Sequence, residues 1–140
     1  MEVGEKHRES GQYLVKPEAS ERSVRVYCQF DDAGSWLVVQ RRVDGSESFD
    51  RNWREYSNGF GDLDLNFWLG NENLHYFTSQ DVYKLHIEMT ALNDELWTAD
   101  YNYFQVTHGA SRWQHCLAPS ICLALMAPPG RRYPRIGWRR

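Results

Sequence analysis

The chain has 140 residues, with 16 Lys and Arg against 19 Asp and Glu and a formal net charge of −3. That length suits one domain. A charged fraction of 25% with 14% aromatic residues excludes a disordered polyelectrolyte, and the net charge excludes a globally basic nucleic-acid binder. Because no apolar run approaches the about 20 residues of a membrane span, we expect no such span. The first 20 residues hold no apolar stretch, so we expect no signal peptide in this chain.

The charges are unevenly distributed along the chain. Residues 1–109 carry all 19 acidic residues and 10 basic ones, a formal charge of −9. Residues 110–140 carry six Arg, no Lys and no acid, and they also hold four of the five Pro. We therefore predict a boundary near Gly109, between a folded segment (1–109) and a divergent Arg/Pro-rich tail (110–140). Since proline restricts helix and sheet pairing, we expect the tail to be largely irregular.

Three short strands are predicted in the first 40 residues. Gly11–Val15 and Ser23–Cys28 are separated by a polar connection that contains Pro17, which favours a turn or loop. Asp31–Ser35 predicts a second turn. Trp36–Gln40 is apolar on both faces, so it predicts a strand that is covered on both sides.

Two short helices are predicted in the middle of the chain. The first spans Asp50–Ser57, with its first residue as the N-cap and with Gly59 just beyond its end. The second spans Asn71–Ser79 and places Leu74 and Phe77 on its inner face. Helices this short depend on tertiary packing for their stability.

An antiparallel hairpin is predicted after the second helix. Apolar and polar residues alternate from Val82 to Met89 and again from Trp97 to Tyr103, and Leu92–Glu95 supplies a polar turn. Together with the two helices, these short antiparallel strands predict an α+β fold. Large aromatic residues at predicted inward positions favour a ring-built core over a ligand platform. They are Trp36, Trp53, Trp68, Trp97, Phe49, Phe60, Phe67 and Phe77.

Isolated polar residues were candidates for a chemical site. His86 falls on the polar face of its strand between Lys84 and Glu88, which favours a solvated cross-strand role, and His75 falls on a helix surface. The acidic pairs lie in turns or loops, where we expect solvation rather than metal binding; they are Asp31-Asp32, Asp62/Asp64 and Asp94-Glu95. Arg41-Arg42 is an isolated basic pair, and it lacks the extended row of basic residues that is typical of a nucleic-acid-binding surface. No catalytic motif is present, so we predict that the chain is not an enzyme.

The three cysteines are Cys28, Cys116 and Cys122. An odd number leaves at least one thiol unpaired within the chain. A bridge between Cys116 and Cys122 is compatible with their spacing, but nothing in the sequence requires it. No Cys-x-x-Cys occurs and the histidines are scattered, so we predict no structural zinc site.

Residues 34–70 carry a run of ordered Trp, Gly and Phe motifs. Residues 34–46 read GSWLVVQRRVDGS, residues 49–56 read FDRNWREY, residues 59–61 read GFG and residues 67–72 read FWLGNE. This run resembles the fibrinogen C-terminal (fibrinogen-like) domain, and the resemblance extends over about residues 10–107. It implies a domain of short antiparallel strands with two small helices, truncated at its C-terminal side. It also implies a secreted, extracellular and non-enzymatic module that binds glycans, acetylated ligands or cell-surface receptors.

The resemblance also implies what this chain lacks. In the family, the cysteine matching Cys28 pairs with an upstream cysteine, and residues 1–27 contain none. The family's calcium site and ligand pocket lie in the later part of the domain, and no position here matches them, so we expect neither and assign no metal or ligand residue. A late family strand that closes the sheet is also expected to be missing, which would leave the hairpin faces at Tyr83 and Trp97 incompletely covered. The alternative is a structural or interaction fragment, for instance a short isoform that associates with full-length family members.

Overall fold

The computed structural model describes residues 9–107 and 121–126, with side chains for the first range only. The strands are β1 (Gly11–Val15), β2 (Val24–Asp31), β3 (Gly34–Arg41), β4 (Phe60–Gly61), β5 (Phe67–Trp68), β6 (Tyr83–Thr90), β7 (Leu96–Phe104) and β8 (Ile121–Met126). The helices are α1 (Trp53–Asn58) and α2 (Asn71–Gln80). Short antiparallel strands with two small helices confirm the predicted α+β class.

The main strands form one antiparallel sheet in the order β1-β2-β3-β8-β6-β7. The small strand β5 pairs with the end of β3 and with β4. The predicted hairpin is confirmed: β6 pairs with β7 in a register that sets Met89 opposite Trp97 and Leu85 opposite Tyr101. Among the described strands, β1 and β7 are therefore the two edges of the sheet.

Strand β8 corrects two expectations about the tail. It lies between β3 and β6, where Leu125 pairs with both Leu37 and Leu85, so the described sheet is continuous at the position where a strand was expected to be missing. The prediction of an irregular tail is wrong for these six residues. Their sequence, ICLALM, contains none of the tail's arginines or prolines, and therefore nothing in it opposes strand pairing. The rest of 110–140 lies outside the described residues.

The core lies where α2 and the β4–β5 segment cover the sheet. Val38 and Val39 on β3 are both fully buried, which confirms the prediction that this strand is covered on both sides. Leu74 and Phe77 are buried on α2, as their spacing predicts. The other buried apolar residues are Tyr13, Val15, Val26, Cys28, Phe67, Leu69, Tyr83 and Val106.

Helix α1 begins later than predicted, because a different residue caps it. Asn52 Oδ1 accepts a hydrogen bond from the Glu55 backbone N–H at 3.0 Å, and Glu55 Oε2 accepts one from the Asn52 N–H at 3.0 Å. This reciprocal capping box satisfies two amides that a cap at Asp50 would leave unpaired, so the prediction of Asp50 as N-cap is wrong. The helix ends before Gly59, as predicted, with φ 86° at that glycine.

The prediction of inward aromatic rings is correct for some positions and wrong for others. Phe67 and Phe77 are almost fully buried, but Trp53 is 66% exposed and Trp97 is 57% exposed. Trp53 is the first residue of α1, a helix that buries none of its residues completely. Trp97 lies on the edge strand β7, where no described element packs over it. Sequence alternation assigns a face of a strand, but burial depends on what lies above that face.

No helix within the described ranges has the length and apolar character needed to cross a membrane.

Candidate functional site

The hairpin β6–β7 presents the largest cluster of exposed aromatic residues in the described part of the chain. Trp97 and Tyr101 are more than half exposed and stand on one face of the sheet, beside the partly covered Leu85, Ile87 and Met89. Tyr103, 62% exposed, follows near the end of β7. We call the exposed side chains of β6 and β7 the hairpin surface. Contiguous exposed apolar area of this kind is typical of interaction sites.

The opposite face of the hairpin carries an ionisable cluster centred on His86. Its Nδ1 lies 2.6 Å from Asp100 Oδ1 on β7, and its Nε2 lies 3.1 Å from Glu88 Oε1 on its own strand. The register places His86 directly opposite Asp100, so the contact joins the two strands. This confirms the predicted cross-strand contact, but the His86 side chain is only 22% exposed, so it is less solvated than the sequence predicts.

The cluster favours the protonated imidazole. Burial lowers the pKa of His86, but its hydrogen bonds to Asp100 and Glu88 and their negative charges outweigh burial, so the net pKa is raised above the ordinary 6.5. Both ring nitrogens face carboxylate oxygens, and only the doubly protonated ring donates to both. The arrangement therefore acts as a charged cross-strand pair, and no ring nitrogen is left to serve as a base or metal ligand.

Trp36 closes one side of this cluster. Its indole lies 5.3 Å from the His86 ring, centroid to centroid, at an interplanar angle of 45°. The Trp36 Nε1 atom is buried and has no hydrogen-bond partner among the described atoms. The Trp36 ring contributes to the burial of the imidazole, and burial lowers the pKa of His86.

His75, the other histidine candidate, has a structural role. Its Nδ1 lies 2.8 Å from the Val106 carbonyl oxygen, and the Val106 N–H donates to Thr78 Oγ1 at 3.0 Å. These contacts fix the segment after β7 against α2. Val106 is buried as a result.

The acidic pairs serve local backbone structure. Asp31 Oδ1 accepts hydrogen bonds from the N–H groups of Ala33 and Gly34, which closes the turn between β2 and β3. Asp62 Oδ1 accepts one from the Asp64 N–H, and Asp94 adopts a positive φ of 62° in the turn before β7. Within residues 9–107 and 121–126 no group of three or more His, Cys, Asp or Glu is placed to hold a metal ion.

The basic pair packs against rings rather than projecting from the surface as a patch. The Arg41 guanidinium lies 4.2 Å from the centroid of the Tyr27 ring, and that of Arg42 lies 4.3 Å from the centroid of Phe49. These cation–π contacts give both arginines a packing role.

The structure describes two of the three cysteines. Cys28 is buried on β2, opposite Leu37. Cys122 lies on β8, where its backbone pairs with Arg41 and Glu88, and Cys116 lies outside the described residues. The pairing of all three cysteines therefore stays a prediction.

Comparison with known proteins establishes the family. The model of the C-terminal globular domain of fibrinogen beta and gamma chains matches residues 1–120. This chain belongs to the fibrinogen C-terminal domain family. The match extends beyond the predicted boundary near Gly109, and the position of that boundary stays a prediction.

Several fibrinogen-like proteins are similar to this chain. It is 42% identical to fibrinogen-like protein A of Apostichopus parvimensis over 105 residues, covering 74% of this chain and 37% of that protein. It is 36% identical to human fibrinogen-like protein 1 over 132 residues, covering 92% and 42%. The chain thus spans less than half the length of these curated relatives.

Solved structures show the same fold. The fibrinogen-like globe domain of human ANGPTL2 matches at 44% identity with a TM-score of 0.68, over 71% of this chain and 46% of that chain. A lamprey fibrin D-dimer, solved with the peptide ligand Gly-His-Arg-Pro-amide, matches at 38% identity with a TM-score of 0.67, over 70% and 32%.

Sequence reasoning missed two parts of this fibrinogen-like hairpin surface. It singled out His86 but not Asp100, although the two alternating runs, once aligned as a hairpin, bring polar residues into register. It also assigned Trp97 to the core. The signal for its exposure was the family resemblance, which implied that the hairpin face at Trp97 would be incompletely covered.

Proposed function

We propose that this chain is a non-enzymatic fibrinogen-like recognition module that acts outside the cell on protein or glycan ligands. The observation that carries the proposal is the retained family framework. Residues 9–107 hold a buried core around Phe67 and Leu74, in a chain 44% identical to a solved fibrinogen-like globe domain. The described histidines support the non-enzymatic part, because His75 and His86 are engaged in structural contacts.

We also propose that the chain lacks the calcium site and ligand pocket that its family resemblance implies for a whole domain. Support comes from the acidic pairs, each of which is used by local backbone groups or lies exposed in a turn. Calcium needs several oxygens that converge on one point, and none of the described pairs offers that convergence. Recognition would then depend on surfaces of the framework itself, of which the hairpin surface is the most aromatic.

Calorimetric titration tests both proposals. The chain is titrated with N-acetylglucosamine, with and without calcium chloride, and with glucose as the matched ligand that lacks the acetyl group. We expect no heat that depends on calcium. Calcium-dependent binding of the acetylated sugar alone would contradict the missing pocket.

A panel of immobilised glycans and receptor ectodomains then tests recognition as such, by biolayer interferometry. We expect at least one surface to retain the chain. Binding should weaken in a Trp97→Ala variant, because this side chain is exposed on the hairpin surface and contributes little to the core. Failure to bind any member of the panel would contradict a recognition role.

A second candidate function is association with longer members of the family. The observation that favours it is the partly open apolar face of the hairpin, formed by Leu85, Ile87, Met89, Trp97 and Tyr101. Sedimentation velocity of the chain mixed with a complete fibrinogen-like domain tests this candidate. We expect a faster-sedimenting complex that is lost in a Trp97→Ala variant, and separate sedimentation at high concentration would contradict association.

A further inference from the structure

The turn of the hairpin β6–β7 places exposed apolar side chains beside exposed carboxylates. Leu92 in the turn is 93% exposed, and Trp97, the second residue of β7, is 57% exposed. Between them in the sequence lie Asp94 and Glu95, both exposed. We call these four residues the hairpin tip. Exposed apolar area is typical of an interaction site, and a partner that fits this one must also match its charge.

Glu95 and Trp97 lie on the same face of the hairpin. The Ala91 N–H donates a hydrogen bond to the Glu95 carbonyl oxygen at 2.9 Å, so the antiparallel pairing extends one step beyond the pair of Thr90 and Leu96. Alternate residues of an extended strand share a face and are about 7 Å apart. One bound group can therefore contact the indole of Trp97 and the carboxylate of Glu95 at the same time.

The two carboxylates of the tip form no salt bridge within the described residues. Glu95 Oε2 accepts a long hydrogen bond from Asn93 Nδ2, at 3.4 Å. Residues 82–107 contain one Lys and no Arg, and this Lys84 lies at the other end of β6, about 20 Å from Thr90. The tip therefore carries two negative charges with no described cation within salt-bridge distance.

Another part of the chain shows which side chain suits a ring beside carboxylates. The Arg51 guanidinium lies 5.0 Å from the centroid of the Phe60 ring. At the same time, its N–H groups donate to Glu47 and Glu55. Arginine suits such a site better than lysine, because its planar guanidinium stacks on a ring and still presents N–H groups to carboxylates. Trp97 offers a ring of the most favourable type for a cation and has no cation over it among the described residues.

We propose that the hairpin tip binds an arginine of a partner polypeptide, in a segment where an apolar residue adjoins that arginine. The guanidinium stacks on the Trp97 indole and donates to the Glu95 carboxylate. Asp94 adds a second negative charge, and the apolar neighbour contacts Leu92. Charge complementarity selects a basic partner, and the exposed indole selects arginine. The inference rests on the proposed recognition role and deepens it, because it states the chemistry of the protein ligand.

Titration of the full chain with a short peptide, followed by NMR, tests the proposal. The probe is acetyl-Leu-Arg-Gly-amide, and its matched control carries citrulline, which has nearly the same shape as arginine but no charge. We expect the arginine peptide to shift the indole N–H of Trp97 and the amides of residues 91–97, and the citrulline peptide to bind about fivefold more weakly. Trp53, 66% exposed and within two residues of Arg51 and Arg54, is the internal control, and its indole should not shift.

Charge and ring are then removed separately. Asp94→Asn with Glu95→Gln removes both charges, and asparagine tolerates the φ of 62° at position 94. This double variant should bind the arginine peptide about fivefold more weakly, because exposed ion pairs contribute modestly. Raising the salt from about 20 mM to about 500 mM should weaken binding by the unaltered chain but hardly affect the variant. Trp97→Ala should weaken binding at least as much, and Trp53→Ala should not; amides of β2 and β3 report that each variant is folded.

Three outcomes would overturn the proposal. One is equal affinity for the two peptides, and another is a set of arginine-dependent shifts that lies outside residues 91–97. The third is a shift of the tip when the protein alone is concentrated, which would show that a second copy occupies it. If the peptide fails to bind while the chain still binds members of the ligand panel, the site assignment alone is wrong. Failure with both the peptide and the panel would contradict the recognition role as well.

Discussion

The two halves of the sheet are built from similar residues and have different surroundings. In the half formed by β1, β2 and β3, Val26 and Val38 are fully buried. In the hairpin β6–β7, Trp97 and Tyr101 are more than half exposed, although they are larger and stand on equally regular strands. We call the first half the covered half and the second the open half.

The difference lies in what packs over each half. The covered half carries α2 and the segment around β5, which is held to β3 by a hydrogen bond from the Leu69 N–H to the Val39 carbonyl oxygen at 2.9 Å. Over the hairpin, no described element takes that place except near Tyr83, which is buried beside Gln80 of α2. The expected incomplete coverage therefore holds at Trp97 and fails at Tyr83. Strand pairing and burial are thus separate properties of this sheet.

The largest expected contrast is between two aromatic truncations, one in each half. Phe67→Ala should lower the free energy of unfolding by about 3–5 kcal/mol, because it removes a buried ring and leaves a cavity. Trp97→Ala should lower it by less than about 1 kcal/mol, because the ring is already largely in water. Urea unfolding followed by circular dichroism measures both values. Similar losses in the two variants would mean that Trp97 is covered in solution, and the two halves would then not differ.

A smaller effect is expected at Gly59, where the backbone between α1 and β4 passes close to Leu69. Gly59 has φ 86°, and a Cβ added there would lie 2.5 Å from the Leu69 carbonyl oxygen. Gly59→Ala should therefore cost about 1–3 kcal/mol of unfolding free energy through backbone strain. Gly45→Ala is the matched control, because no atom lies within 4 Å of its added Cβ. Thermal unfolding compares the two, and an equal change in both would contradict the strain at Gly59.

The start of α1 gives the next smaller effect. Asn52→Ala removes the side-chain acceptor of the capping box and should cost about 1 kcal/mol. Asp50→Ala, at the position that the sequence favours as the cap, should change the free energy of unfolding by less than about 0.5 kcal/mol. Urea midpoints of the two variants measure the difference. A larger loss of unfolding free energy in the Asp50 variant would show that Asp50, and not Asn52, is the N-cap.

Local pattern was sufficient to predict most elements of this fold. The alternation through β6 and β7 predicts the hairpin, and the spacing of Leu74 and Phe77 predicts the buried face of α2. The cap at Asn52 was missed because Asp50, Asn52 and Glu55 all satisfy local preferences, and only the reciprocal hydrogen bonds select one. Strand β8 was missed because the average composition of residues 110–140 concealed six consecutive residues without Arg or Pro.

The candidate site was less predictable, because it depends on contacts between elements. His86 was assigned a cross-strand role from its own strand alone. Its partner Asp100 follows only from the hairpin register, which sets the two residues opposite each other. The exposure of Trp97 and Tyr101 depends on which elements lie above the sheet, and a period-two pattern contains no information about that.

The smallest effect concerns the pH dependence of the open half. Glu88 on β6, Asp100 on β7 and Trp36 on β3 face His86, and β8 contains no acidic or basic residue. Because its folded pKa is raised, the contribution of His86 to stability is fully present below the unfolded pKa of about 6.5 and is lost as the pH rises through the folded value. The stability difference between the chain and His86→Gln should therefore shrink from about pH 5.5 to about pH 8, by less than about 1 kcal/mol, as for other partly exposed pairs.

Nuclear magnetic resonance titration of the His86 ring separates this contribution from general pH effects. Asp100→Asn keeps an oxygen acceptor opposite the ring but removes its charge, so the pKa of His86 should fall relative to the unaltered chain. An unchanged pKa would show that the carboxylate of Asp100 does not hold the proton. The two strands of the hairpin would then be joined at that position only by backbone hydrogen bonds. The open half would differ from the covered half in burial, but not in its response to pH.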